Sequence, residues 1–325
     1  MRKALFALLG VPAALILALA PFSQAQAKWP EKPIKIVLPF GPGGVADVTA
    51  RIMAAKLSDK FGQQVVIENM PGPGGINAAR AVINAAPDGY TMALVTNGTA
   101  ISVAAFNKLP FDPVKDLAMV SMVGTFDLVF AVDAASEYKT LGDFIKAAKA
   151  APGKFNIGTT LLGGTQNLGA ELFKTMAGLN MQVVVYKTSP DILVALFRND
   201  VQMMIDFPPA LQGQVNDGKV RLLASSSPTR SALLPKTPTV AESGVKDYEV
   251  ISWNGIAAPK GTPQDVIDAM NKAMHEVLAT PELKAQFKKV GVEAHASTPA
   301  ELMDRLTSDI KKWDAVIVKA GIAKK

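Results

Sequence analysis

The sequence predicts an α/β fold of two halves, each a mostly parallel sheet flanked by helices. Three observations lead there. Short apolar runs of strand length alternate with longer stretches of helical period, the pattern of βαβ units that feed a parallel sheet. The alternation occurs twice, over residues 34–96 and again over 128–205, in a chain of 325 residues, a length suited to about two domains. Hydrophobic residues make up 49% and charged residues 19%, with a mean hydropathy of +0.21. That composition supports a sizeable core and excludes a disordered or low-complexity chain.

In the first half, Ile34 to Phe40 reads as a strand. The helix after it, Val45 to Phe61, carries apolar residues at Val45, Val48, Ile52 and Ala55 and stops at Gly62. Gln64 to Glu68 is the second strand. A helix over Ile76 to Ala85, the turn Pro87-Asp88-Gly89 and a strand over Thr91 to Thr96 complete a three-strand unit. The second half repeats this with strands at Leu128–Val132, Phe155–Thr159, Gln182–Val185 and Val201–Ile205, and helices at Leu141–Ala150, Thr165–Ala177 and Pro190–Asn199.

After Trp253 the character changes. Ala258 to Pro263 reads as a loop with Thr262 as N-cap and Pro263 as the first helical residue. Helices follow over Gln264–Ala279, Pro281–Val290 and Pro299–Ala320, the last opened by the capping box Thr298 to Glu301. These helices have no sheet of their own. They either pack back on the first half, giving a discontinuous first domain (28–125 and 253–325) around a second (126–252), or form a separate C-terminal domain. The lack of a Ser/Gly-rich linker favours the first arrangement.

Residues 1–27 read as a secretory signal peptide: Arg2 and Lys3, an apolar run from Ala4 to Ala20 broken by Pro12, and a cleavage site after Ala27 in Ala25-Gln26-Ala27. The competing reading, a membrane anchor, needs about 20 apolar residues, and this run has 17. The expected product is secreted and not inserted in the membrane.

Several chemistries are excluded at the outset. With no Cys, thiolate catalysis, Cys-ligated zinc and disulfides are absent. The two histidines, His275 and His295, limit any metal site or Ser-His-Asp arrangement. A net charge of +6 without basic clusters interleaved with aromatics argues against nucleic acid. His275 lies beside an apolar helical stripe and reads as solvated, and His295 has no metal-spaced partner. Ser308 to Lys311 matches S-x-x-K without its companion motifs. No metal and no cofactor is expected.

The informative loops are Gly41-Pro42-Gly43-Gly44 and Gly72-Pro73-Gly74-Gly75, 31 residues apart, each between a strand and a helix. If their strands are parallel neighbours, both loops lie at one sheet edge, and the free N–H groups of two helix starts form an anion cradle of backbone. The bland alternative is a pair of tight turns. Gly41 to Ala46, with Glu68 beyond it, also has the form of a dinucleotide fingerprint, but export argues against a nicotinamide cofactor. In the second half, Thr159 to Thr165 and Tyr186 to Pro190 join strands to helices and present hydroxyls to the same cleft or act as ordinary caps, Ser189 ahead of Pro190 among them. Asp206 ends a strand as a turn-former or as a polar group of the cleft. Asp47 and Arg51, spaced i and i+4, read as a helix-surface pair.

The series Pro39 to Gly44 with Asp47, Ala50 and Arg51, then Glu68-Asn69, Pro71 to Gly75, Pro87 to Tyr90, Gly169 to Phe173, Tyr186-Lys187, Pro238 to Glu242 and Ala258 to Pro263 closely resembles the Bug family, periplasmic solute-binding proteins of tripartite tricarboxylate transporters. The resemblance runs in order from Trp29 to near the C-terminus. It implies a two-domain Venus flytrap, a monomer without catalysis, and a carboxylate held in the interdomain cleft by backbone amides, hydroxyls and water for delivery to a membrane permease. Carried over by position, the expected ligand-binding residues are Phe40, Gly41, Gly43, Gly44, Gly74, Gly75, Asn97, Thr99, Thr159, Thr160, Gly164, Thr165, Lys187, Thr188, Ser189 and Asp206. The chain departs from the family where Gly163 to Leu168 replaces a Gly-Ser-Ser-x-His-Leu type segment, where Thr188 replaces a glycine, and where Leu161 and Leu162 make the loop greasier. Two other readings stand beside this one: a secreted hydrolase using Asp206, Asp47 or a histidine, and a binding protein for an uncharged or amino-bearing solute.

Overall fold

The computed structural model describes residues 29–324; the signal-peptide reading of residues 1–27 and its cleavage site lie outside them. The chain enters through β1 (Ile34–Leu38), α1 (Val45–Phe61), β2 (Val65–Asn69), α2 (Ile76–Ile83), β3 (Thr91–Thr96), α3 (Asn97–Ala105), α4 (Pro113–Asp116) and β4 (Leu117–Asp127). It crosses to β5 (Val129–Asp133), α5 (Leu141–Ala150), β6 (Asn156–Thr160), α6 (Thr165–Met176), β7 (Gln182–Tyr186), α7 (Ser189–Phe197), β8 (Met203–Asp206), α8 (Gln212–Asn216) and β9 (Val220–Ser225). It then returns as β10 (Ile251–Pro259), α9 (Gln264–Ala279), α10 (Pro281–Lys289), β11 (Glu293–Ala294) and α11 (Pro299–Ala320).

Two sheet-plus-helix domains result, one sheet ordered β11-β4-β10-β3-β1-β2 and the other β7-β6-β8-β5-β9. The parallel core expected from the βαβ pattern is present in each: β1 pairs parallel with β2 and β3, and β6 with β7 and β8. The remaining strands add antiparallel, so both sheets are mixed. Three of the added strands, β4, β9 and β10, carry no clear period in the sequence. β4 is mostly buried along its length, because α9 and α11 both pack on it, and a strand covered on two faces shows no alternation. The expected loop over Ala258 to Pro263 is corrected in the same way: β10 runs on through Pro259, paired with Leu117. Pro263, not Thr262, takes the N-cap position of α9, while the Thr262 hydroxyl donates to the carbonyl of Pro259 at 2.8 Å.

The C-terminal helices pack mainly against the first sheet. α9 lies on β4 and α1, and α11 lies on β4 and α3 and also touches α6 of the second domain. Thr298 and Glu301 form the expected capping box and Gly321 closes α11 in the left-handed conformation. Between them Leu302, Leu306, Trp313, Val316 and Ile317 are buried. The helix sits so near β10 that a Cβ at Gly255 would lie 2.8 Å from the methyl carbons of Leu302, so any larger residue there has to displace that leucine. Trp253 of β10 donates its indole N–H to Asp309 at 2.7 Å, and Arg305 and Lys312 pair with the same buried carboxylate.

Asp127 ends β4 at the first crossing, opposite Ile251 at the second. Burial pushes its carboxyl up to about 6; hydrogen bonds from Ser227 and Ser231 act the other way, and the like charge of Glu293 adds to the rise. An acid that holds its proton more tightly folded than unfolded adds stability below its unfolded value, and this is lost as pH rises through 6. Asp127→Asn is therefore expected to be more stable than the parent at pH 8 by about 2–3 kcal/mol, since each pKa unit is worth about 1.4 kcal/mol, with the gap vanishing below pH 4. Thermal melts at pH 8, 6 and 4 check this. A gap independent of pH would refute it.

Candidate functional site

Because β1, β2 and β3 run parallel, with Leu38 opposite Asn69, the loops that leave them emerge at one edge. Both Gly-Pro-Gly-Gly corners and the start of α3 therefore stand side by side. The same holds for the loops after β6, β7 and β8 in the second domain. The two edges face each other: the side-chain amide of Asn97, at the start of α3, donates to the hydroxyl of Thr165, at the start of α6, at 2.9 Å. The indole N–H of Trp313 donates to the side-chain amide oxygen (Oδ1) of Asn97 at 2.7 Å. Both Asn97 and Thr165 are buried, so this chain from α11 through α3 to α6 is a closed interdomain contact.

Three of the helices aimed at this space start on a glycine. α1, α2 and α6 begin after Gly44, Gly75 and Gly164, and none of the three has a side-chain cap. At the same edges α3 opens with the capping box of Thr96 and Thr99 and α7 is capped by Thr188, and away from them α5, α10 and α11 are also capped by threonines whose oxygens accept an N–H of the first turn. An uncapped start leaves backbone donors of the first turn free to meet an anion. A Cβ at Gly41, Gly43 or Gly44 would meet nothing within 4 Å. Phe106, however, lies 3.0 Å from the Cβ position of Gly74, so the second corner is partly covered.

The first corner is held rigid. The N–H of Gly43, at φ 91°, donates to Asp47 at 2.9 Å. Arg51 bonds both oxygens of that carboxylate, and Asn69 bonds the carboxylate and the carbonyl of Phe40. Asp47 is only 3% exposed, which corrects the surface-pair reading. The Arg51 hydrogen bond, followed by those of Gly43 and Asn69, outweighs burial and lowers its pKa to about 2. The second domain has a neutral counterpart: the N–H of Gly163, at φ 75°, donates to Asn167 at 3.0 Å. Residues 43, 44 and 47 thus correspond to 163, 164 and 167.

The other expected residues sort by geometry. Asp206 is buried and accepts from Ser189 at 2.5 Å, Gln166 at 3.1 Å and the N–H of Phe207 at 2.8 Å. Thr188, not Ser189, caps α7, accepting from the N–H of Asp191, which frees Ser189 for Asp206. Thr99 accepts from the N–H of Thr96. Thr159 is fully buried with a hydroxyl that has no hydrogen-bond partner. Thr160 is half-buried at the end of β6, and Lys187 is exposed after β7. Gln166 and Trp313 were not among the expected residues; a glutamine in a helix and a tryptophan 216 residues from its partner give no local signal. His275 and His295 lie exposed, and His275 contacts the carbonyl of Ser297 at 3.2 Å. Among the described residues no cluster of three or more His, Asp or Glu is placed to hold a metal, and no helix is long and apolar enough to cross a membrane.

Residues 49–322 match the profile of the tripartite tricarboxylate transporter family receptors. The chain belongs to that family. Protein BugT of Bordetella pertussis is 32% identical to this receptor over 319 residues, 98% of this chain and 97% of BugT. Among solved structures, R. palustris Rpa4515 with adipate is 32% identical with a TM-score of 0.76, covering 91% of this receptor and 99% of that chain. MatC from Rhodopseudomonas palustris with bound malate is 27% identical with a TM-score of 0.73, covering 89% and 100%. The two-domain fold is accordingly that of the periplasmic binding proteins.

Proposed function

We propose that this receptor is an exported, monomeric periplasmic protein, cut after Ala27, that closes on an organic carboxylate and presents it to a tripartite tricarboxylate-type permease without catalysing a reaction. The two lobes are residues 28–125 with 253–325, and 126–252. The carrying observation is the set of uncapped, glycine-started helices that face each other across the Asn97–Thr165 contact. Solved relatives with adipate and malate support a carboxylate as the ligand.

The magnitudes are adequate. Micromolar binding needs about 8 kcal/mol. A partly buried helix terminus supplies up to about 2 kcal/mol, and a hydrogen bond to a charged group about 1.5–3 kcal/mol. Two helix starts with the hydroxyls of Thr160 and Thr165 reach that sum once the lobes exclude water. Isothermal calorimetry and thermal shift of the processed protein against aliphatic and aromatic mono-, di- and tricarboxylates test the reading, with at least one acid expected to bind at micromolar Kd. A flat response across the whole panel would reject it.

A further inference from the structure

We propose that Leu161, Leu162 and Phe40 form an apolar clamp that selects acids with a hydrocarbon tail, so that the substrate class is a carboxylate whose other end is uncharged and apolar. This inference rests on the carboxylate reading above. Leu161 and Leu162 are 70% and 58% exposed at the tip of the loop between β6 and α6, and Phe40 is 39% exposed in the loop between β1 and α1. Adjacent exposed leucines lose contact with water only when something apolar covers them.

Leu161 also holds φ 47°, a left-handed conformation that penalises a residue with a branched, bulky side chain. Strain of this kind persists where the surroundings hold it, and it concentrates at ligand clamps. Here the holder is visible: the carbonyl of Leu161 accepts the N–H of Gly164 at 2.8 Å, and a Cβ at Gly164 would stand 3.2 Å from a Leu161 methyl carbon. The turn that aims the leucine outward is therefore the turn that places the uncapped start of α6.

The loops that carry these three side chains come from the two lobes and adjoin the residues of the interdomain contact. The ring of Phe40 lies 3.8 Å from the Cβ position of Gly98, the neighbour of Asn97, and Leu161 and Leu162 lead directly to Thr165, which Asn97 bonds. The charges on these edges do not favour a second carboxylate. Arg51 is tied to Asp47 and Asn69, the Asp206 carboxyl group is buried and already accepts three hydrogen bonds, and Lys187 is exposed after β7, the strand at the end of its sheet.

Calorimetry on the processed protein with the unbranched series from acetate to octanoate, beside malate and adipate, tests the proposal. Burying each methylene should tighten binding about three- to fourfold, and octanoate should exceed malate by at least an order of magnitude. The double variant Leu161→Asn with Leu162→Ser, chosen because asparagine tolerates the left-handed conformation, should fold with a melting temperature no lower than the parent's and cut the gain per methylene below about 1.5-fold. Malate or adipate binding as tightly as octanoate, or an unchanged gain in the variant, would overturn the clamp while leaving carboxylate capture intact. Binding of no acid at all would remove both readings.

Discussion

Gly44→Asp is expected to raise the melting temperature by about 2 °C and weaken carboxylate binding by at least about 100-fold. Gly44 occupies the N-cap position of α1 at φ −77° and ψ 168°, which any residue adopts, and a Cβ there meets no atom within 4 Å. Aspartate is among the best N-caps, and it adds a charge at the favourable end of the dipole while removing glycine's unfolded-state freedom. Together these are worth about 1 kcal/mol, or roughly 2 °C in a protein of this size. The same carboxylate would take the N–H groups meant for the ligand and repel its charge, a loss of about 3 kcal/mol or more. Melting curves and calorimetry on one preparation read both effects. Unchanged binding would show that α1 does not anchor the ligand.

Trp313→Ala is expected to cost about 3–5 kcal/mol, the range for large aromatic deletions in a core. Trp313 is fully buried on α11, and its indole N–H is the donor to Asn97, which in turn holds Thr165 of the other domain. Truncation therefore leaves a cavity and the buried side-chain oxygen of Asn97 without its donor. Trp313→Phe separates the two, because it keeps most of the area and loses only the N–H; about 1–3 kcal/mol should remain. Chemical denaturation of both variants decides the matter. A phenylalanine variant as stable as the parent would mean that the indole bond contributes nothing to the interdomain contact.

The parts of this architecture governed by local chemistry were legible in the sequence. Val45–Phe61, Thr91–Thr96, Leu141–Ala150, Gln264–Ala279 and Pro299–Ala320 have the expected bounds, since each has a clear period and a glycine, threonine or proline at its ends. The two glycine corners were legible as neighbours because parallel pairing forces successive loops to one edge. Features that depend on distant packing were not. β4 and β10 pair across more than a hundred residues of sequence, and the apolar period of a strand vanishes when helices cover both faces. The Asp47 brace looked like an exposed pair because i and i+4 spacing says nothing of how deeply the helix start is set in the sheet edge. Asn97 was expected to meet a ligand, and its bonds to Thr165 and Trp313 depend on a helix from the far end of the chain.

The place of β10 between β3 and β4 has a consequence for the order in which the protein is made. Until residues 251–259 leave the ribosome, the sheet that the first strands began has a gap in its middle. The lobe inserted between β4 and β10 has all its strands by residue 225. The half of the molecule that starts later in synthesis is therefore the first that has everything it needs to fold, and the half that starts first waits for nearly the last.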